Sequence, residues 1–168
     1  WYSFKGRGKY FNPEINDNGI EKQVKGYMTD ILTNEAVSWL TDKRDTNKPF
    51  SLCLWHKAVH EDHLPAPRHE KLYENDTLPY PPYNTHKETF EGKPEWQRIK
   101  AFDTQWKDYK SVDKLPEKPW GSKSDKYMRL LKTLAAVDES IGTVLETLEQ
   151  TGELENTVVI FSSDNGYF

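Results

Sequence analysis

The sequence has one cysteine, Cys53, so no disulfide can form within the chain. It has no apolar run approaching ~18 residues, so no segment reads as a membrane span. It also lacks a basic surplus. Lys and Arg number 23 against 27 Asp and Glu, for a net charge of −4 and a pI near 5.8. That balance argues against a nucleic-acid partner, which would call for a basic stripe. The opening stretch "WYSFKGRGKYF" has no apolar core of the kind a signal peptide needs. It also lacks an initial Met, so the chain is expected to be a piece of a longer one. No internal repeat is visible.

Aromatic residues are plentiful. They make up 13% of the chain, with six Trp and nine Tyr. Disordered chains are poor in aromatics, so a folded protein with large polar insertions is expected despite 30% charged residues. Exposed aromatics among polar residues suit sugars, although core packing uses most of them.

Periodicity sets the expected elements. "NDNG" (Asn16 to Gly19) between "KYFNPEI" and "IEKQVKG" predicts a tight hairpin. "GYMTDILTNEAVSWL" predicts a helix capped by Thr29 or Asp30, with Leu32, Ala36, Trp39 and Leu40 on one face. "FSLCLW" (Phe50 to Trp55) and "TVVIFS" (Thr157 to Ser162) read as buried strands. Residues 61–125 hold eight of the ten prolines and no sustained period, an irregular excursion. From Tyr127 a long helix is expected, with Leu131, Leu134, Asp138, Ile141, Leu145 and Leu148 along its core face and Gly152 as its stop. Asp138 on that stripe would need a buried partner. The order strand, excursion, helix, strand implies an α/β fold with a parallel sheet and right-handed crossovers.

In such sheets sites form in loops leaving the carboxyl ends of the strands. "HKAVHEDH" follows the first strand and "SDNG" the second. A shared edge would bring His56, Lys57 and His60 near Asp164 and Asn165. Asp164 and Asn165 offer a carboxylate and an amide oxygen, the donors a hard cation takes. An ordinary Asn-Gly turn is the alternative. Lys57 and His60 could meet an anion or give a proton to a leaving group. A zinc site of His56, His60 and His63 is a rival, weakened by the absence of H-E-x-x-H and by Pro65 and Pro67. "EINDNG" fails as a calcium hand because Lys25 stands at its twelfth position, and "GRGK" fails as a phosphate loop. Asn75-Asp76-Thr77 is a glycosylation acceptor only in a secretory eukaryote.

Taken together, "TLAAVDESIGTVLETLEQTGELENTVVIFSSDNGYF", "KPFSLCLWHKAVHEDHLPAPRHEKLY" and "GYMTDILTNEAVSWL" resemble, in this order, segments of the type I sulfatases. The resemblance implies an alkaline phosphatase-like α/β fold, present only in part. Residues 1–168 would be the central portion of one catalytic domain: 1–60 hairpin, helix and strand, 61–125 excursion, and 126–168 helix, strand and metal loop. The implied function is sulfate-ester hydrolysis on a sulfated carbohydrate such as N-acetylglucosamine 6-sulfate. By the same resemblance, Asp164 and Asn165 correspond to half of a Ca²⁺ site, with Ca²⁺ expected rather than Mg²⁺. His60 corresponds to a histidine contacting the sulfate or its leaving oxygen, and Lys57 is carried over beside it. Asp62 departs from the pattern, where many relatives have proline.

The family nucleophile is a formylglycine made from a C/S-x-P-x-R motif. Cys53 is followed by Leu54-Trp55-His56 and does not fit, so the nucleophile is expected outside the chain and the 168 residues alone are expected to be inactive. The rest of the calcium site is likewise expected elsewhere. The resemblance implies a periplasmic, extracellular or lysosomal location. A carbohydrate-binding module without catalysis, and a phosphate or phosphonate ester hydrolase of the same fold, are the alternatives.

Overall fold

The computed structural model describes residues 1–76 and 121–164, with side chains of the final helix described from residue 126 onward. The chain divides into two compact units, Trp1–Glu74 with Tyr127–Phe168, and Asn75–Lys126. Of the second unit only its two first residues and the beginning of a helix are described.

The first unit opens with an antiparallel sheet in the order β1 (Tyr2–Ser3), β2 (Glu14–Asp17), β3 (Ile20–Gln23). The expected hairpin is there. Asp17 pairs with Ile20 across a two-residue loop, Asn18-Gly19, whose φ values of 51° and 99° are both positive. Those values match the turn that Asn-Gly favours, because its twist follows that of the strands. The Asn16 side chain accepts the Gly19 amide at 2.8 Å and so braces the turn. Ile15 is fully buried on one face, whereas all of β3 is exposed.

Helix α1 (Met28–Ser38) continues into a π-helical turn over Trp39–Lys43. Its start differs from the expectation. Neither Thr29 nor Asp30 caps it; the cap position is Tyr27, without a side-chain bond. The free amide of Met28 instead donates to the Tyr10 carbonyl at 2.8 Å. A backbone oxygen brought in by the preceding loop thus satisfies the helix end. Thr29 is buried and Asp30 is used in an ion pair. Ile15, Met28 and Leu32 form one core cluster, with Tyr2, Phe4, Val24 and Leu54 packed on it.

The long helix α2 (Gly121–Gln150) begins six residues before the expected Tyr127. Gly152 ends it at φ 72°, with Glu153 N–H bonded to Leu148 O and Gly152 N–H to Glu149 O, the paired bonds of a Schellman stop. Its buried face overlaps the expected one only in part: Leu148 is buried and Leu131, Ile141 and Leu145 are half-buried, but the burial centres on smaller residues. Thr133, Ala136, Val137, Ser140, Thr147 and Leu148 are buried, while Leu134 is 38% exposed and Asp138 is exposed. The reason is what lies opposite. Ala136 packs in a second cluster with Tyr10, Tyr27 and Ala66, and two tyrosine rings leave room there only for a small side chain. Asp138 therefore needs no buried partner. At the far end, the ion pair of Arg44 with Glu153, and Arg44 lying 4.6 Å from the Phe50 ring centre, tie the loop after α1 to the end of α2.

The expected parallel strands are not seen among the described residues. Residues 50–55 and 157–162 run without strand pairing among the described residues, and the sheet that is described is antiparallel. In the first segment Leu52 and Leu54 are half-buried and Cys53 and Trp55 exposed. In the second, Val158, Val159, Ile160 and Phe161 are all exposed, Val158 at 87%. Strands inside a parallel sheet are paired with neighbours and covered on both faces. Among the described residues neither segment is paired; the first is covered on one side only, through Leu52 and Leu54, and the second is exposed from Val158 to Phe161.

Candidate functional site

Lys57 and His60 lie on one tight loop that leaves the first extended segment. The His60 amide donates to the Lys57 carbonyl at 2.8 Å, which closes the turn. Two tyrosines from the second core cluster hold backbone oxygens within and after the loop. The Tyr10 phenol donates to the His60 carbonyl at 2.5 Å, and the Tyr27 phenol to the Leu64 carbonyl at 2.9 Å. Burial raises both phenols, Tyr10 well above the tyrosine range and Tyr27 to about 12, so both remain protonated donors.

Lys57 is buried, with its ammonium 4.6 Å from the Tyr10 ring centre and 3.4 Å from the Glu61 carbonyl. Burial lowers its pKa; Asp62 opposes the shift and Arg7 adds to it. The ring face is a fitting rest for a cation taken from water. His60 is exposed, and its Nδ1 lies 2.9 Å from the Glu61 carbonyl. A carbonyl only accepts, so Nδ1 carries the proton there. The neutral ring then keeps Nε2 as a lone pair, and protonation makes Nε2 a donor.

His56 and His63 do not join His60 at a metal. His63 is buried, its Nδ1 2.9 Å from the Val59 carbonyl. His56 turns toward α2, its Nε2 3.1 Å from the Ser140 hydroxyl oxygen. Burial brings the His56 pKa down to about 4. Among the described residues no group of three or more His, Cys, Asp or Glu could hold a metal. The zinc alternative finds no support there.

Asp164 is exposed at a bend after the second extended segment, and Asn165 lies outside the described residues. The carboxylate and the neighbouring amide suit a hard cation by chemistry. Ca²⁺ takes roughly six to eight oxygens, however, and two donors alone do not make up such a set.

A second polar cluster ties the segment that follows the loop to both helices. Arg68, on the 3₁₀ turn Pro67–His69, grips Asp30 of α1 with two bonds of 2.9 and 2.7 Å and reaches Glu139 of α2 at 2.7 Å. His69 Nε2 lies 2.8 Å from the same Glu139 carboxylate. The hydrogen bond from Arg68 lowers the Glu139 pKa, against the effect of desolvation, with His69 adding to the lowering. Neither the tyrosine pair nor this clamp was legible in the sequence, because no spacing rule links Tyr10 to His60 or Arg68 to Asp30. The tyrosine pair's one signal was the density of aromatics, and the clamp had none.

The sulfatase family model matches residues 3–167. An N-acetylglucosamine-6-O-sulfatase of Bacteroides thetaiotaomicron is 30% identical over 96% of this chain and 37% of its own length. The human N-acetylglucosamine-6-sulfatase is 28% identical over 99% of the chain and 29% of its own length. An extracellular sulfatase of Drosophila melanogaster is 28% identical over 99% of the chain and 14% of its own length. The chain thus spans little more than a third, or less, of the relatives it matches. A solved structure of a protein in complex with its substrate, D-glucosamine-2-N, 6-O-disulfate, matches with a TM-score of 0.63 and 27% identity. That match covers 93% of this chain and 41% of the other.

Proposed function

The chain belongs to the sulfatase family, and on that ground we propose that it carries part of the active site of a sulfuric ester hydrolase acting on a sulfated carbohydrate. The likeness to a structure solved with a sulfated glucosamine carries this reading. N-acetylglucosamine 6-sulfate is therefore the first substrate to try. In the complete enzyme, residues 50–55 and 157–162 become strands of an alkaline phosphatase-like sheet, which would cover their exposed apolar side chains. The location is extracytoplasmic, as the name of the Drosophila relative says of that protein. Among the described residues no helix is long and apolar enough to cross a membrane.

Within this reading the chain's own residues have distinct tasks. His60 presents Nε2 to the ester. In the protonated ring Nε2–H donates to the bridging oxygen, which takes up negative charge as the bond to sulfur breaks. Lys57 brings a positive charge to the sulfate oxygens. Asp164 and Asn165 are two ligands of a Ca²⁺ ion, with the others supplied from outside these 168 residues; when bound, the ion neutralises sulfate charge. The formylglycine nucleophile is assigned outside these residues as well.

The test is sulfate release from a sulfate monoester by the complete enzyme, with the matching phosphate monoester run in parallel. Preference for phosphate would move the reading to a phosphoester hydrolase of the same fold.

A further inference from the structure

His56 is not needed by the reading above, yet it is tied deeply into the fold. Its Nε2 lies 3.1 Å from Ser140 Oγ, and Ser140 Oγ lies 2.6 Å from Thr33 Oγ1. Thr33 Oγ1 lies 2.7 Å from the carbonyl of Thr29. The other ring nitrogen, Nδ1, is buried with no hydrogen-bond partner among the described residues.

Proton counting gives this row a direction. A hydroxyl has one proton to donate, and a carbonyl only accepts. Thr33 Oγ1 can donate to the Thr29 carbonyl at 2.7 Å or to Ser140 Oγ at 2.6 Å, and its one proton serves one of them; with the proton on the carbonyl, Ser140 donates to Thr33. Ser140 then has only an acceptor left for His56, and His56 Nε2 is the donor. Nδ1 selects this arrangement. If Nδ1 carried the proton, a buried N–H would be left without an acceptor, which is rarer than an under-used acceptor. The ring is therefore neutral, protonated at Nε2, with a bare Nδ1.

Position gives the row its purpose. Residues 51–56 alternate exposed and half-buried, and His56 is the last inward-facing position before the buried Lys57. An apolar residue would continue the pattern begun by Leu52 and Leu54. The imidazole instead fastens the start of the loop to both α1 and α2, through Thr33 and Ser140. Tyr10 and Tyr27 hold backbone oxygens further along, at His60 and Leu64.

We propose that His56 is a positioning residue: the directed row His56–Ser140–Thr33–Thr29 fixes the entry of the loop that presents Lys57 and His60. The inference rests on the sulfatase reading for its catalytic consequence, but not for the tautomer. It makes His56 part of the geometry of the site without contact to substrate.

Three measurements on the complete enzyme test it. Imidazole ¹⁵N shifts should give a proton on Nε2 and a bare Nδ1 at neutral pH; a proton on Nδ1 overturns the directed row. His56→Leu and Ser140→Ala should each lower kcat by about tenfold or more, with KM little changed and the limbs of the pH profile in place, because misplacement of a catalytic group costs rate and not uniform binding. The double variant should be no worse than the worse single one. His56→Gln, which keeps a donor near the Nε2 position, should recover most of the loss. Wild-type kcat in His56→Leu, or no recovery in His56→Gln, overturns the positioning role. If the wild type releases no sulfate, the functional reading fails. Amide exchange at residues 57–63 then decides: it must rise in His56→Leu and Ser140→Ala, and unchanged exchange overturns the proposal.

Discussion

The Tyr10 phenol donates to the carbonyl oxygen of His60, fifty residues along the chain, while the same ring carries the Lys57 ammonium on its face. One aromatic side chain thus sets the backbone of one candidate catalytic residue and the resting place of the other. The two contacts separate under mutation.

Tyr10→Phe keeps the ring face and removes the hydroxyl. We expect a stability loss of about 1 kcal/mol, the usual net worth of one hydrogen bond. Turnover should fall further than that loss alone explains, because His60 loses its tether. Chemical denaturation and steady-state kinetics on the same variant check this. A variant with full kcat and lowered stability would reduce Tyr10 to a packing residue.

His56 predicts a pH dependence of stability. Its pKa is near 4 in the folded protein and about 6.5 in an unfolded chain. Between those values the unfolded state binds the extra proton, so stability falls as pH drops through that window. Above about 6.5 the contribution is fully present. His56→Leu should flatten the slope from pH 6.5 to 4 relative to the wild type. Equal slopes in urea titrations would count against a buried neutral imidazole.

Glu139 predicts a lower window. Its pKa is held below the carboxylate range by Arg68, so its contribution is present above the unfolded value of about 4.3 and is lost as pH falls through its folded pKa. Glu139→Gln should remove that part of the acid sensitivity. Because Arg68 and Glu139 are each more than two-fifths exposed, the effect at neutral pH should stay small, up to about 1 kcal/mol. Arg68→Lys should not restore it, since lysine cannot make the two-pronged grip on Asp30.

The exposed run from Val158 to Phe161 predicts opposite outcomes in two settings. In the 168-residue chain, Ile160→Lys should reduce self-association, because exposed apolar segments of high β-propensity pair readily. In the complete enzyme, where we assign the same run to a covered sheet, the substitution should destabilise. Light scattering on the first and thermal unfolding of the second separate the cases. A harmless Ile160→Lys in the complete enzyme would argue against the sheet assignment.

Local signals were legible in the sequence and relationships were not. Asn18-Gly19 announced its hairpin because two positive φ values are a local demand. Gly152 announced its helix stop for the same reason. The loop with Lys57 and His60 stood out through its place after an apolar run. Helix α2 misled in part, because its bulky stripe outweighs its small residues in any periodicity. The face that is buried was decided by Tyr10 and Tyr27, over a hundred residues away. The start of α1 was likewise set by a carbonyl from Tyr10 and not by its own first turn.

The most direct test of the account is sulfate release from N-acetylglucosamine 6-sulfate by the complete enzyme, with and without a calcium chelator, in wild type, His60→Ala and Asp164→Ala. The account predicts release by the wild type and its loss on chelation. It predicts a fall of about a hundredfold or more in kcat for His60→Ala, the scale of general acid–base help, and near-complete loss for Asp164→Ala. Release that persists undiminished in both variants and in the chelator would contradict the assignment of His60 and Asp164, and an inactive wild type would contradict the function.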